Sequence, residues 1–221
     1  MTEFFLVVNR VSKAYGDVQA VECASLEIEK GSTLVIQGAS GSGKTTLLRL
    51  IAGLELPDAG EIYINGEAAN GSGRSLPPHR RKMGFVFQSP ALWPHLTVAD
   101  NILFGLAGRP RRENRHRMEE LLERTGLAGL QKRYPDQLSG GQARRVSLAR
   151  ALAPEPACIL MDEPLTNLDD DLKEKMLSLI KEERSRLGSA LIYVTHDSSE
   201  VSALGTRVTF MKKGRTYGLE V

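Results

Sequence analysis

Cysteine is scarce in this sequence, and its scarcity excludes some classes of protein. The 221 residues include 2 cysteines, Cys23 and Cys158. They lie far apart and do not form a Cys-x-x-Cys motif. Neither a disulfide framework nor a zinc site is therefore predicted. This composition is typical of a reducing compartment such as the cytoplasm.

Long hydrophobic runs are also missing. No run approaches the ~18 apolar residues of a membrane-spanning helix. The longest run near the N-terminus, Phe4–Val8, is shorter than the ~7–15 residues of a signal-peptide core. We expect the chain neither to cross a membrane nor to be exported.

The sequence also lacks a large net charge. Lysine and arginine number 29 against 27 aspartate and glutamate residues, a net charge of +2. This balance argues against binding to nucleic acid by bulk electrostatics, although it allows a local basic face. With 41% hydrophobic and 25% charged residues, the composition excludes a disordered or fibrous chain. The length suits one domain with room for a subdomain.

Two kinds of strand are predicted. Apolar and polar residues alternate at Leu26 and Ile28 and again at Ile62 and Ile64, which favours half-exposed antiparallel strands. Elsewhere, short continuous apolar runs are typical of parallel strands covered on both faces. These runs are Thr33–Gln37, Cys158–Met161 and Ala190–Thr195. The sequence therefore predicts either two sheets or one mixed sheet.

Helices are predicted between the buried strands, over Lys44–Ala52 and Asp171–Leu187. This alternation indicates an α/β fold. Residues 90–154 lack buried strands of this kind and show helical patterns, including Met118–Arg124 and Gln142–Leu152, that proline and glycine interrupt. We interpret 90–154 as an inserted helical subdomain.

A glycine-rich motif follows the first buried strand and opens a predicted helix. Residues Gly38–Thr45 match G-x-x-x-x-G-K-[ST]. In such a loop, backbone N–H groups surround phosphate oxygens, Lys44 reaches the β and γ phosphates, and Thr45 offers a hydroxyl to Mg²⁺. The alternative is a merely flexible glycine loop, which the strand-to-helix context disfavours. No Asn-Lys-x-Asp motif is present, so a GTPase is disfavoured, whereas kinases and motor ATPases stay open.

Candidate catalytic groups follow two other buried strands. Asp162 and Glu163 come at the end of one, where open α/β sheets place ligand chemistry. Asp162 would hold Mg²⁺ or its water, and Glu163 would deprotonate the water that attacks the γ-phosphate. His196 follows another strand and is a candidate to contact the γ-phosphate, while Asp197 would begin the next helix. The alternatives are a solvated acidic turn before Pro164 and a structural histidine.

The string Leu138–Gln142, Leu-Ser-Gly-Gly-Gln, forms a second candidate anion site. Ser139 can cap a helix that starts there, with Gln142 three residues on as in a capping box. Two glycines leave backbone N–H groups open to phosphate. A capped helix start without a ligand is the simpler interpretation, and it also holds locally.

In order, these motifs resemble those of the nucleotide-binding subunits of ABC transporters over nearly the whole chain. Gly38–Thr46 is similar to the Walker A loop, Gln88 to the Q-loop glutamine, and Leu138–Gln142 to the signature. Asp162 and Glu163 are similar to Walker B and its catalytic glutamate. Leu168–Asp169 would end the D-loop and His196 would be the switch histidine.

The resemblance implies a set of site residues for ATP and Mg²⁺. The implied catalytic residues are Lys44, Gln88, Glu163 and His196. The implied nucleotide contacts are Tyr15, which would stack on adenine, the loop residues Gly38, Ala39, Ser40, Gly41, Ser42, Gly43, Lys44, Thr45 and Thr46, and the signature residues Ser139, Gly140, Gly141 and Gln142. The implied Mg²⁺ ligands are Thr45, Gln88 and Asp162.

The resemblance also implies fold and assembly. The fold class would be an α/β P-loop NTPase, with a RecA-like core and antiparallel β subdomain at 1–89 and 155–221 and the helical subdomain at 90–154. All of 1–221 would form one ABC ATPase domain. Two copies, most simply a homodimer, would pair head to tail so that the signature of one completes the ATP site of the other.

The stretches Leu76–Lys82 and Gln88–Val98 are similar to those of importers for oxyanions, iron, polyamines or sugars. The resemblance implies separate transmembrane permease subunits that dock near Gln88–Leu96, a separate solute-binding protein, and a cytoplasmic position on the inner face of the membrane. Apolar residues around Trp93 suit such a docking groove. The alternative is that Trp93 packs inside the helical subdomain.

Two features depart from the family pattern. Thr166-Asn167 replaces the commoner Ser-Ala of the D-loop, which changes no catalytic group. The chain ends soon after His196, so we expect no regulatory domain there. A soluble ABC-type ATPase of DNA repair or the ribosome is the alternative function. It is disfavoured because the sequence has neither a long coiled-coil insertion nor a second nucleotide-binding domain.

A basic cluster is the remaining feature. Its members are Arg109, Arg111, Arg112, Arg115 and Arg117. They could contact nucleic acid or anionic lipid, but no aromatic stacking platform accompanies them. We interpret the cluster as a solvated loop and first helical turn, and we expect no nucleic-acid partner.

Overall fold

The computed structural model describes residues 4–71, 75–106, 108, 110–205 and 207–218. The described strands are β1 (Phe4–Tyr15), β2 (Val18–Glu29), β3 (Thr33–Gln37), β4 (Ala59–Ile64), β5 (Glu67–Ala68), β6 (Met83–Val86), β7 (Cys158–Asp162), β8 (Ala190–Val194), β9 (Val208–Lys212) and β10 (Arg215–Gly218). The described α-helices are α1 (Lys44–Ala52), α2 (Val98–Leu103), α3 (Arg111–Arg124), α4 (Gly140–Leu152), α5 (Asp170–Leu187) and α6 (Ser198–Leu204).

These strands form two sheets, as one of the two sequence-based alternatives predicts. An antiparallel sheet has the order β2-β1-β4-β5, and a second sheet has the order β10-β9-β3-β8-β7-β6. In the second sheet, β9, β3, β8, β7 and β6 are parallel, and β10 joins β9 as an antiparallel edge. The predicted α/β class is therefore confirmed.

The inner parallel strands β3, β7 and β8 are mostly apolar because each contributes to two cores. In β3, Leu34 and Ile36 pack with α1 and the antiparallel sheet, whereas Val35 faces the helices on the opposite side. The same alternation separates Leu160 in β7 from its neighbour Met161. Successive side chains of a strand point to opposite faces, so a continuous apolar run is what a sheet covered on both faces requires.

The segment 90–154 contains α2, α3 and α4, and no strand lies among its described residues. The predicted helical patterns fall inside longer helices: Met118–Arg124 is the second half of α3, and α4 begins at Gly140, two residues before the predicted start. The division into a core and a helical subdomain stays a prediction. None of the helices in the described ranges is long and apolar enough to span a bilayer.

A buried arginine closes the C-terminal end of α1. Arg81 is 2% exposed, and its guanidinium donates to the carbonyls of Leu50, Ile51, Ala69 and Leu76. The last carbonyls of a helix have no partner within the helix. Arg81 supplies partners for two of them and ties α1 to the segments that follow β4 and β5. Burial lowers the pKa of the Arg81 guanidinium.

A buried carboxylate joins α3 to α5. Glu183 is fully buried in α5 and accepts from Arg117 Nη2 at 2.5 Å and from Arg186 Nη2 at 3.1 Å. Arg124 forms a further ion pair with it. Burial alone would raise the pKa of Glu183, but the hydrogen bonds from Arg186 and Arg117 outweigh it, so the pKa lies below its usual value of 4.5. Arg117, predicted to be solvated, is buried here instead.

We predict that Glu183→Ala lowers the free energy of unfolding by about 3 kcal/mol, since it removes a buried ion pair of Arg117 and leaves that buried guanidinium paired with the partly exposed Glu120. The neighbouring variant Glu182→Ala is the control. Glu182 is largely exposed and pairs with Arg124, so its loss is expected to cost about 0–1 kcal/mol. Urea unfolding at pH 7 measures both, and equal costs for the two variants would contradict a structural role of Glu183.

The Glu183 carboxylate also makes the stability of the folded chain depend on pH in the acid range. Because the pKa of Glu183 is lower in the folded chain than in the unfolded chain, its contribution is complete above about pH 4.5 and is lost as the pH falls through the folded-state value. Glu183→Ala should therefore show a weaker loss of stability below pH 4.5 than the wild-type chain.

Candidate nucleotide site

The glycine-rich loop lies between β3 and α1 and is closed by its own lysine. Gly41 and Gly43 have φ values of 75° and 104°, a region that favours glycine. Lys44 Nζ donates to the carbonyls of Gly38 and Ala39, both at 2.8 Å. An ammonium has three donors, so Lys44 can keep both bonds and still donate to a phosphate. Burial lowers the pKa of Lys44, and the charges of Glu163 and Asp162 partly offset this.

Neighbouring strands hold the loop tightly. A Cβ at Gly43 would overlap the carbonyl oxygen of Ala20 in β2, and a Cβ at Gly38 would overlap that of Met211 in β9. The N–H of Gly214 donates to the Ser42 carbonyl at 3.0 Å. The loop is therefore not merely flexible. A cavity of about 850 Å³ lies between Gly38–Ser42 and the β9–β10 hairpin, and Lys44, Thr45 and Asp162 do not line it.

A hydroxyl and a carboxylate meet beside the loop. Thr45 Oγ1 donates to Asp162 Oδ2 at 2.7 Å, so the first turn of α1 contacts the end of β7. Burial raises the pKa of Asp162, the bond from Thr45 lowers it, and the net direction is upward. Two hard oxygen donors next to a phosphate loop fit Mg²⁺, which needs only one or two protein carboxylates when substrate phosphates supply further oxygens.

Glu163 receives contacts from both neighbouring strand ends. Gln88 Nε2, just after β6, lies 3.5 Å from Glu163 Oε2, and His196 Nδ1, just after β8, lies 3.2 Å from Glu163 Oε1. The N–H of Glu163 donates to the carbonyl of Val194 at 3.0 Å, and its φ is 47°. Since β6, β7 and β8 are adjacent and parallel, their carboxyl ends bring the three predicted catalytic side chains together.

The signature and Tyr15, which are both predicted to contact the nucleotide, are not part of the Glu163 cluster. The signature forms the predicted capping box: Ser139 Oγ accepts from Gln142 N at 3.2 Å, and Gln142 Oε1 accepts from Ser139 N at 3.0 Å. Within the described part of the chain, no hydrogen bond joins Ser139–Gln142 to the phosphate loop. The Tyr15 hydroxyl bonds to Glu55, beyond the C-terminal end of α1. An adenine-stacking role for Tyr15 stays a prediction.

A buried hydrogen-bond network lies behind His196, and the sequence patterns do not predict it. Glu200 accepts from Thr195 Oγ1 at 2.6 Å and from the Tyr193 hydroxyl at 2.9 Å. Asp197 caps α6, as predicted. The hydrogen bond from Lys173 Nζ holds the pKa of Asp197 well below its usual range. The periodicity that identifies β8 as a strand gives no signal for these side-chain pairs.

The unusual D-loop residues have local roles. Thr166 Oγ1 donates to the carbonyl of Glu163 at 3.0 Å and closes the turn after the acidic pair. Asn167 has φ of 61°, a conformation that asparagine tolerates better than most residues. Thr-Asn is therefore compatible with the turn that follows Glu163.

Trp93 lies at the surface. Its side chain is half exposed and packs on Phe104, with ring centroids 5.5 Å apart. Buried Asn101 fixes this loop, because its side chain bonds to both the N–H and the carbonyl of Trp93. The alternative that Trp93 packs inside the helical segment is wrong. In the basic cluster, Arg109 lies outside the described residues, and the members that are described and exposed are Arg111, Arg112 and Arg115.

A phosphate loop at a strand-to-helix junction, with carboxylates at the adjacent strand end, defines a P-loop nucleotide-binding protein. A family model described as "ABC transporter" matches residues 21–166, which include the loop, Gln88, the signature and Glu163. The chain belongs to the ABC transporter family.

Similar proteins agree with this membership. The chain is 47% identical to the sulfate/thiosulfate import ATP-binding protein CysA 2 of Chromobacterium violaceum, covering 95% of this chain and 57% of the relative. It is 45% identical to the Fe(3+) ions import ATP-binding protein FbpC of Pasteurella multocida, covering 96% of this chain and 60% of the relative. The chain thus spans about three fifths of the length of these curated relatives.

A solved structure matches more completely. The dimeric post-hydrolysis structure of the ATP-binding cassette MJ0796, bound to ADP and Pi, superposes with a TM-score of 0.89 at 33% identity. The match covers 98% of this chain and 99% of that cassette. The ABC-cassette fold is therefore shown over almost the entire chain.

We predict that Gly43→Ala destabilises the chain by about 3 kcal/mol or more, because the new Cβ meets the Ala20 carbonyl in addition to backbone strain. Gly41→Ala is the matched control. Gly41 also has a positive φ but has open space around it, so about 1 kcal/mol of strain is expected. Denaturant midpoints measured without nucleotide compare the two, and an equal loss in both would show that the neighbouring strands do not confine the loop.

Proposed function

We propose that this chain is the ATP-binding and ATP-hydrolysing subunit of an ABC importer. The observation that carries the proposal is the convergence of Gln88, Glu163 and His196 beside a loop closed by Lys44. These groups come from four adjacent parallel strands, so the fold itself assembles them. The importer assignment is further supported by the names of the relatives CysA 2 and FbpC.

The chain's residues divide the chemistry among them. The loop amides and Lys44 bind and orient the phosphates of ATP. Glu163 takes the proton of the attacking water. Gln88 and His196 orient the two carboxylate oxygens of Glu163. Thr45, Asp162 and Gln88 are the residues that would hold Mg²⁺, which neutralises phosphate charge when bound.

A second copy of the chain completes the site. Ser139 and Gly140 are exposed at the start of α4, and Ser139–Gln142 makes no hydrogen bond to the loop of its own chain in the described residues. Its open backbone N–H groups suit a phosphate held by another copy. The MJ0796 cassette, of the same fold, is dimeric. We therefore propose a head-to-tail homodimer with ATP at the interface.

The partners follow from the same proposal. The half-exposed Trp93–Phe104 pair borders a groove that Phe85, Phe87 and Ala91 also line. An exposed aromatic groove suits the insertion of a permease helix. We propose transmembrane permease subunits that bind near Gln88–Leu96, a separate solute-binding protein, and a location on the cytoplasmic face of the membrane.

Glu163→Gln is expected to keep ATP affinity and lower the ATPase rate by about 10²–10⁴-fold, since the amide cannot accept the proton of water. ATP should then hold two chains together, which gel filtration in Mg²⁺ and ATP detects. Glu174→Gln is the control, because Glu174 is exposed on α5 outside the cluster. Normal turnover by Glu163→Gln would show that another group is the base.

Trp93→Ala is expected to leave nucleotide binding intact and to weaken solute uptake by cells that contain the complete importer, because a buried interface aromatic is a typical hot spot. The control is Leu56→Ala, which removes another exposed apolar side chain, 55% accessible, far along the chain from Trp93. Unchanged uptake by Trp93→Ala would remove Trp93 from the permease interface.

A further inference from the structure

Two arginines of α4 hold the loop that contains Gln88. Arg144 Nη1 donates to the backbone carbonyl of Gln88 at 3.1 Å. Arg150 donates to the carbonyls of Ala91 at 2.7 Å and Pro90 at 3.1 Å. All three carbonyls lie in the irregular segment between β6 and α2. Hydrogen bonds from a charged donor are stronger than neutral ones, so α4 and this segment are tied together.

The same helix begins with the signature. Ser139 caps α4, and Arg144 follows it by five residues, roughly 8 Å along the helix axis. A hydrogen-bonded helix moves largely as a unit. A displacement of its capped end therefore reaches the Gln88 carbonyl through the Arg144 side chain.

A second contact connects Gln88 to the candidate base. The backbone of Gln88 is held by Arg144, and its side chain lies 3.5 Å from Glu163. This separation is longer than the roughly 2.7–3.2 Å typical of N–H···O hydrogen bonds. A small shift of the Gln88 backbone is therefore enough to bring the amide within hydrogen-bond range or to move it out of reach.

We propose, resting on the ATPase function above, that Arg144 is a positioning residue for Gln88. It makes the alignment of Gln88 with Glu163 depend on the placement of α4, and hence on occupation of the signature at its start. Arg144 itself contacts neither the phosphate loop nor Glu163 in the described structure. Its effect on hydrolysis therefore passes through Gln88.

The next residue of α4 provides a matched control. Arg145 Nη1 donates to the carbonyls of Thr125 and Gly126, at 2.7 Å and 2.9 Å. It is an arginine of the same helix that binds two backbone carbonyls, where Arg144 binds that of Gln88, and its targets follow α3 and not β6. Arg145→Ala therefore removes at least as many bonds to backbone carbonyls without releasing Gln88.

The test is a double-mutant cycle on ATPase kinetics. Arg144→Ala should lower kcat about tenfold with little change in KM, and Arg144→Lys, which keeps a cationic donor, should recover most of the rate. The double variant Gln88→Ala/Arg144→Ala should be no slower than Gln88→Ala alone. The losses from Arg145→Ala and Gln88→Ala should instead multiply. Multiplying losses for Arg144 and Gln88, or a normal rate in Arg144→Ala, would overturn the proposal.

A second measurement needs no turnover. Amide hydrogen exchange without nucleotide should become faster at Gln88 and Ser89 in Arg144→Ala and stay unchanged there in Arg145→Ala. Unchanged exchange in Arg144→Ala would overturn the tether. If the wild-type chain hydrolyses no ATP, the proposed function fails, while the exchange result still decides whether Arg144 restrains the Gln88 segment.

Discussion

The confinement of the phosphate loop is the constraint on which the rest of the site depends. Gly38 and Gly43 lie so close to the backbones of Met211 and Ala20 that no side chain fits between them. Lys44 then closes the loop through two of its carbonyls. Because β2 and β9 belong to different sheets, the loop forms where the two sheets meet. The shape of the loop is therefore fixed by the packing of the two sheets. The proposed phosphate-binding site is preformed.

The order of the strands determines which of the predicted site residues lie beside the loop. The parallel order β3-β8-β7-β6 places the loop, His196, the Asp162–Glu163 pair and Gln88 at one edge of the sheet. Glu163 sits there with a positive φ, a conformation that costs a non-glycine residue roughly 1–3 kcal/mol. The bond from its N–H to Val194 and the Thr166 hydroxyl on its carbonyl hold this backbone. The strained backbone is therefore at the residue that we propose as the catalytic base.

Features encoded by local patterns are predictable from the sequence, whereas those made by distant side chains are not. The glycine loop, the buried strands and the Ser139 capping box follow from spacing within a few residues, and the structure has all of them. The arginines show the opposite case. Arg81, Arg117 and Arg144 look alike in sequence, yet one caps α1, one pairs with Glu183 and one holds Gln88. Leu50, Glu183 and Gln88 lie 31, 66 and 56 positions from these arginines, where periodicity carries no information.

These arginines also show that charged side chains of this nearly neutral chain have structural roles. Buried guanidinium groups need partners for their donors, and this fold supplies backbone carbonyls at the places where helices and strands end. Such carbonyls are available in the last turns of helices, as at Leu50 and Ile51, and in irregular segments, which are generally more mobile than helices and strands. An arginine bound to them stiffens a loop without adding an element of regular structure. The segment after β6 is held in this way from α4, so the loop that reaches Glu163 is ordered by the helix that the signature begins.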